Sequence, residues 1–533
     1  MIATQEAAGS RARLLASLWR YAPAVIIFVG LVARLISAYT KFLNADEAMH
    51  YLLALQPSVS DAYHASLGTA HPPLLILLLH YWELISRSEF SLRLPSVLAG
   101  TAAGWFLYAW LRDVRDRGTA IVAAALFLFS PALIYTSAEI RQYALLLCFM
   151  SGTLYLLDRA ITKNSLLLLL GSGILLYLAL LTHYCALIFG LAAAIYGFVR
   201  IVSVRTRLSL RLIWIAVQLG FAAIAAFLWK THIGVIRHRP LTQDVAESYL
   251  RNSLFHPHEE NVFAFLGKAN LRLFHFLFSQ GAISVVGLLL FVVGIVLLFR
   301  EKKQALRREP SCWQLGVLLL LPFAINSATA MAGIYPYGGT RHDAYLAIFA
   351  MPAIAVALDY WQPARKWIKP VAVLIALVVC NFTVIPAGAY IRPKNQKKEL
   401  MTQAVNYLRT SAAPGSFVLT DYESGLLLSY YLCEKDITHS GQPIGFFYHS
   451  ECGEYESVSL IPRLWVFRAN GFPAQMAELG GSVQSNRAVW LFQAGFIVDR
   501  EPEFQALLAK YGCASPRRFG GNILVCRIQL PKN

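Results

Sequence analysis

The sequence predicts an α-helical polytopic membrane protein that ends in a soluble α/β domain, and three observations carry the prediction. The 533 residues are 57% hydrophobic and 14% charged, with a mean hydropathy of +0.51, too apolar for a soluble domain of ordinary composition. Apolar runs recur through the first 390 residues at the length of about twenty that crosses a bilayer. After "YIRPKNQKKE" the composition turns to that of a soluble domain.

The runs lie near 22–40, 92–111, 119–136, 142–157, 165–182, 184–200, 211–229, 281–299, 313–332, 343–360 and 367–390, which gives about eleven transmembrane helices. Arg11, Arg13 and Arg20 precede the first run, which lacks a small-residue cleavage site and reads as a retained span. Segment 72–86, "PPLLILLLHYWELIS", is short, opens with Pro-Pro and contains His80 and Glu83. Parity decides how to read it. If it lies at the interface, "RDVRDRG", "RIVSVRTRLSLR", "REKKQALRREP" and "QPARKW" all share the side of the basic N-terminus, as the positive-inside rule expects of a cytoplasmic face. If it spans, all four flip. The formal charge of +17 then reflects membrane topology and not nucleic acid.

That topology places loop 41–91, turn 136–142, segment 230–280, turn 335–344 and everything beyond 391 on the extracytoplasmic side. Two domains follow: a membrane domain over 1–390 with a catalytic outer loop at 41–91, and a soluble α/β domain over 391–533. In the latter, "LMTQAVNYLRT" and "PEFQALLAKYG" read as helices and "SFVLTD", "RLWVF", "AVWLF" and "NILVCRI" as strands. Its cysteines, in a compartment that permits disulfides, are expected to pair as Cys433 with Cys452 and Cys513 with Cys526. Four free buried thiols are the alternative.

"LNADEAMHYLL", residues 43–53, puts two acids at the outer end of the first span. Asn44 with Glu47 three residues on is a capping-box pattern ahead of an apolar run. Neighbouring helical residues face different ways, so Asp46 and Glu47 cannot readily share a pocket, whereas Asp46 and His50 can. Alone, the stretch reads first as a solvated helix start.

Other outward segments supply the context. "TAHPPLLILLLHYWELISRSEFSLRLPSVLAG" joins His71-Pro-Pro-Leu to Arg93-Leu-Pro-Ser, and "SPALIYTSAEIRQYALLL" places Glu139 and Arg141 in a short turn. In order with the Asp-Glu pair, they resemble the protein O-mannosyltransferase-like branch of the C-type (GT-C) membrane glycosyltransferases. That branch includes bacterial enzymes that move aminoarabinose onto lipid A. The resemblance covers the first 200 residues, and "YPYGGTRHDAYL" looks like an Arg-His turn of bacterial members. The turn here reads "AEIRQY", so Arg141 is aligned by its place before Tyr143. The resemblance implies a GT-C fold with an extracytoplasmic active site, in a bacterial inner membrane.

Chemistry leads the same way. Nucleotide sugars are cytoplasmic, so transfer at the outer face needs a donor such as a polyprenyl phosphate sugar. Transfer to a hydroxyl needs a base for the acceptor proton and cations, which Arg and His can supply, where negative charge grows on the leaving phosphate. Asp46 is the expected base with Glu47 as its support. His71, Arg141, Arg341 and His342 are the expected phosphate ligands: Arg341 and His342 follow a Gly-Gly turn, and His71 precedes an interfacial helix whose N-terminus favours an anion. Arg93 reads as a membrane-interface anchor, Glu139 as the partner of Arg141, and Arg237, His238 and Arg239 as a solvated or headgroup-binding face.

His256, His258 and Glu259 in "FHPHEEN" could hold a divalent metal, but Pro257 breaks the register and no second cluster is visible, so no obligatory metal is expected. The expected partners are the polyprenyl phosphate donor, membrane lipids and a lipid, glycan or protein acceptor, with no nucleic acid. The rival class, a transporter or flippase of lipid-linked glycans, calls for charged or broken helices at midplane and perhaps repeats. The runs here are largely intact and the candidate residues lie outside them.

Overall fold

The structure is a computed structural model that describes residues 2–237, 243, 247, 249–301, 308–361, 368–382, 397–433, 442–482, 488–495 and 502–530. Ten of the eleven apolar runs fall on helices, and so does the described part of the last. The first half comprises α1 (Ile2–Thr40), α2 (Ala45–Ala54), α3 (Val59–Ser66), α4 (Leu74–Trp82), α5 (Glu89–Val114), α6 (Arg117–Leu128), α7 (Pro131–Ser137), α8 (Tyr143–Lys163), α9 (Leu166–Leu180), α10 (Ala186–Val204) and α11 (Leu208–Leu228). Among the described residues, eight helices are long and apolar enough to cross a membrane, or nine if α6 and α7 form one bent span. The sequence reading of about eleven is not matched by length alone. α9 and Ile368–Phe382 have 15 residues each, about 22 Å of helix against a hydrocarbon core of about 30 Å, and residues 383–390 of the last run lie outside the described residues. α4 has nine residues and is too short to cross.

Helix starts follow from local chemistry. Ser58, Ser88, Asp116 and Ser165 each accept a hydrogen bond from a first-turn N–H, satisfying a donor the helix leaves free. Apolar side chains point outward from α11 and from helix Gly281–Arg300, among them Leu212, Leu219, Phe227, Val286 and Leu289. This is the surface of an integral membrane protein, with lipid as its solvent.

The bend between α6 and α7 is 63°, and it exposes carbonyls that helix bonding would otherwise satisfy. Buried Arg34 on α1 donates to Leu128 O at 2.8 Å and Gly30 O at 3.0 Å, and Asn381 Nδ2 donates to Phe129 O at 2.8 Å. Pro131 opens α7, where its missing N–H is no loss. The bend carries the chain into turn 138–142.

Residues 397–530 surround a seven-stranded sheet: β1 (Phe417–Thr420), β2 (Gln442–Ile444), β3 (Phe447–Cys452), β4 (Tyr455–Leu460), β5 (Val489–Gln493), β6 (Arg517–Phe519) and β7 (Ile523–Ile528). The order is β2-β3-β4-β1-β5-β7-β6, with β1 parallel to both β4 and β5 and the other pairs antiparallel. Three of the four expected strands and both expected helices are present. "RLWVF" is not a strand: Trp465 has φ +56° and Phe467 packs into the core from a loop. Both disulfides, Cys433–Cys452 and Cys513–Cys526, have the expected pairing.

The sheet region and loop 41–91 share one apolar cluster, with Leu43, Leu52 and Leu75 on one side and Met401, Leu427 and Val525 on the other. Polar contacts fix the register. Tyr431 Oη donates to Glu89 and accepts from Leu43 N, Tyr430 Oη donates to Arg87 O at 2.9 Å, and Lys398 pairs with Glu89 at 2.8 Å.

Candidate active site

α2 begins at Asn44 with both halves of the capping box: Asn44 Oδ1 accepts from Glu47 N at 3.2 Å and Glu47 Oε2 accepts from Asn44 N at 2.9 Å. Glu47 does more than cap. Its two oxygens take a bidentate pair of bonds from Arg93, at 2.7 Å each, and Oε1 also accepts from Ile140 N at 2.9 Å. Arg93 in turn donates to the carbonyls of Ala38, Lys41 and Phe42. Both side chains are about 1% exposed. Arg93 is therefore not an interface anchor: it is the buried counter-ion of Glu47, and the pair ties α1, α2, α5 and the 138–142 turn together. Glu139 does not serve Arg141. It accepts from Asn44 Nδ2 at 2.8 Å.

Asp46 points the other way, into a cluster of arginine, histidine and tyrosine side chains that forms the chamber of the site. Its Oδ1 lies 3.4 Å from Arg141 Nη1 and its Oδ2 2.5 Å from Arg341 Nη1, with the Asp46 side chain 18% exposed. Arg341 is delivered by a turn that only glycine can make. Gly338 and Gly339 have φ +121° and +83°, and a Cβ on Gly339 would stand 2.4 Å from Arg272 O. Asp343, buried behind the turn, accepts from Gly338 N at 2.9 Å and from Asn326 Nδ2 at 3.1 Å and completes a capping box with Thr340. Arg341 thus projects from a braced support.

Four histidines line the chamber. The His71 ring lies 5.2 Å from His183, 6.3 Å from His50 and 6.4 Å from His342, and His183 lies 5.8 Å from His342. Tyr143 stands beside them, 5.4 Å from His183, with the guanidiniums of Arg141 and Arg341 5.7 and 6.0 Å from its ring centroid. Burial first, and then the positive charge of Arg141, pushes His50 and His183 down to about 3. His71 is also held well below the ordinary range, by burial and then by its histidine and arginine neighbours. These three are neutral donors at pH 7. Several buried donors in the chamber lack a hydrogen-bond partner among the described residues: Arg141 Nε, Tyr143 Oη and His183 Nε2. Such a concentration of unanswered donors beside two guanidiniums can accept an anion.

All six residues singled out in the sequence therefore meet at one end of the bundle: Asp46, His71, Arg141, Arg341 and His342 at the chamber, Glu47 behind it. The N-terminus of α4 is less open than expected, because Leu74 N donates to Leu181 O at 3.1 Å. Sequence reasoning missed His183. The signal was present, since span parity puts turn 182–184 on the same side as loop 41–91, but the turn is only three residues long between two apolar runs. His232 is also a positioning residue, donating from Nε2 to Thr69 O at 2.8 Å while Nδ1 accepts from Tyr184 Oη.

Of the remaining candidates, Arg272 donates to Asn252 O and Arg237 lies over the Trp229 ring. His238 and Arg239 lie outside the described residues. In "FHPHEEN", Glu259 is taken by Arg251 at 2.6 Å, and His256 Nε2 donates to Arg251 O at 3.1 Å. Among the described residues, no three His, Cys, Asp or Glu side chains are grouped to hold a metal.

Residues 70–229 match the family model described as dolichyl-phosphate-mannose-protein mannosyltransferase, under a third of the chain but the stretch that carries His71, Arg93, Arg141 and His183. No curated protein matches the chain in sequence. Among solved structures, ArnT from Cupriavidus metallidurans in the apo state superposes with a TM-score of 0.50 at 14% identity, over 96% of this chain and 98% of that one. The same protein bound to undecaprenyl phosphate gives 0.49 at 13% identity, over 95% and 97%. The oligosaccharyltransferase AglB from Archaeoglobus fulgidus, in complex with an inhibitory peptide and a dolichol-phosphate, gives 0.43 at 12% identity, over 77% of this chain and 64% of that one. The resemblance read from the sequence holds, and the fold is that of the C-type membrane glycosyltransferases.

Proposed function

We propose that this membrane protein, with its GT-C fold and its protein O-mannosyltransferase-like sequence, moves a sugar from a polyprenyl monophosphate donor to an acceptor hydroxyl, at an active site on the extracytoplasmic face. The observation that supports this reading best is the placement of Asp46: a partly exposed carboxylate between Arg141 and Arg341, beside the histidine cluster. The solved neighbours carry undecaprenyl phosphate and a dolichol-phosphate, which suggests the same class of donor here. In this reading the lipid tail enters sideways from the bilayer.

In this reading the donor phosphate competes with Asp46 for Arg141 and Arg341, and His71 and His342 add hydrogen bonds. Asp46, released from its guanidiniums, accepts the proton of the acceptor hydroxyl. The acceptor oxygen bonds to the anomeric carbon as the carbon–oxygen bond to phosphate breaks, and the electron pair stays on the phosphate. Attack opposite the leaving group inverts the anomeric centre. Glu47 does not touch the substrates; it holds α2 and turn 138–142 in place. The guanidiniums supply the charge that the leaving phosphate needs, so no metal is obligatory.

Asp46→Asn keeps the shape and removes the proton acceptor. Transfer of labelled sugar from a synthetic polyprenyl phosphate donor in nanodiscs should fall by roughly two to four orders of magnitude, with donor binding retained and with wild-type transfer surviving EDTA. Near wild-type turnover in Asp46→Asn would sink the assignment.

A further inference from the structure

We infer that His183 is a further ligand of the leaving phosphate, donating from Nε2 into the chamber that Asp46, Arg141 and Arg341 enclose. This inference rests on the donor reading above and adds a residue that the sequence did not single out. It starts from a tautomer. The backbone N–H of Cys185 donates to His183 Nδ1 at 3.2 Å; an amide N–H can only donate, so Nδ1 carries the lone pair. The ring is neutral, since burial pushes its ionisation down to about 3, and the single ring proton therefore sits on Nε2. That N–H is buried and finds no acceptor among the described residues, and a buried unanswered donor of this kind costs about 1–3 kcal/mol unless a ligand or water meets it.

The surroundings tell which ligand. The groups facing the ring come from every element around it: His71 before α4, Arg141 and Tyr143 at the start of α8, and Tyr335 and His342 on the turn before helix Ala347–Tyr360. Arg141 and Arg341 both act on the ring, and the carboxylate they share is that of Asp46. Tyr143 Oη and Arg141 Nε are also buried without a hydrogen-bond partner among the described residues, so three neighbouring residues each hold an unanswered donor. A phosphate monoester offers several acceptor oxygens and the charge to answer them. The backbone holds His183 in register: Thr182 and His183 N–H groups both donate to Ala179 O, and Tyr184 is tied through His232 to Thr69. A neutral donor strengthens its bond as charge gathers on the phosphate oxygen, without the desolvation a third cation would need.

The test uses the full chain in nanodiscs with two probes, undecaprenyl monophosphate and the phosphate-free polyprenol. His183→Leu removes the donor, and His183→Gln places an amide N–H near the position of Nε2. Undecaprenyl phosphate should bind His183→Leu about ten- to a hundred-fold more weakly, His183→Gln should recover most of the loss, and polyprenol binding should not change. Equal binding of the phosphate by His183→Leu and wild type overturns the inference, as does a loss shared equally by polyprenol. If His183→Leu fails to fold, proton–nitrogen NMR of histidine-labelled wild type decides: the Nε2 proton of His183 should move downfield with undecaprenyl phosphate and stay with polyprenol, and an unmoved resonance overturns the inference. Wild type that does not prefer phosphate to polyprenol would instead fell the donor reading itself. Loss of that preference in Arg341→Ala but not in His183→Leu would fell only the role of His183.

Discussion

Asp46 and Glu47 are adjacent, identical in charge and opposite in circumstance. The helix turns one into a chamber and the other into a sealed ion pair, and their substitutions should therefore fail differently. Glu47→Gln breaks a buried pair and leaves Arg93 uncompensated, at a cost of roughly 3–5 kcal/mol, so it should lower the melting temperature and yield of the folded protein. Asp46→Asn should do neither. Thermal unfolding of the two variants side by side separates the roles, and equal melting temperatures would contradict the placement of Glu47. The histidines make a second prediction. His50, His71 and His183 ionise in the folded chain well below their ordinary value of 6.5, so below that pH the unfolded chain binds protons that the folded chain refuses. Stability should be level above about pH 6.5 and fall towards pH 3, by roughly 2 kcal/mol per histidine at about pH 5.

At the scale of elements, turns carry the site and helices carry the turns. The Gly338-Gly339 turn has one workable backbone. Gly339→Ala would press a Cβ against Arg272 O and strain a left-handed residue, costing about 1–3 kcal/mol; Arg341 should shift from Asp46 and turnover should fall at least about tenfold in a protein that still folds. Unchanged turnover would mean Arg341 tolerates displacement. The turns were legible because each sits between apolar runs, where polar residues stand out and parity assigns the side. Arg93 was misread for the complementary reason: sequence shows its distance from a span end, not that Glu47 and three carbonyls surround it. The break between α6 and α7 was passed over although Ser130-Pro131 marks it within the run 119–136; what the sequence does not show is that Arg34 and Asn381, far away in the chain, meet the carbonyls released there. "RLWVF" looked like a strand because its alternation is apolar; β3, β4 and β6 were passed over because theirs is rich in Tyr, His, Ser, Glu and Arg.

For the whole molecule, the membrane part and the sheet part are distinct in composition yet joined in their packing. Tyr431, near the end of helix Tyr422–Tyr431, accepts from the residue just before Asn44 and donates to Glu89, so the second part of the chain steadies the start of α2. A chain ending before Lys397 should insert in the membrane and fail to transfer sugar, and the full chain with Tyr431→Phe should show partial loss; a truncated chain with normal turnover would show that the membrane part completes the site alone.

The shared cluster of Leu43, Leu52 and Leu75 with Met401, Leu427 and Val525 also sets an order of events during synthesis. Loop 41–91 emerges early, but the surface that covers it is among the last to leave the ribosome. Until then the loop waits with an apolar face uncovered, and the acid at its head has no settled position. An unfinished polypeptide is thus inserted with its loop unsettled, and under the proposed function it stays idle until residues 397–530 cover that loop.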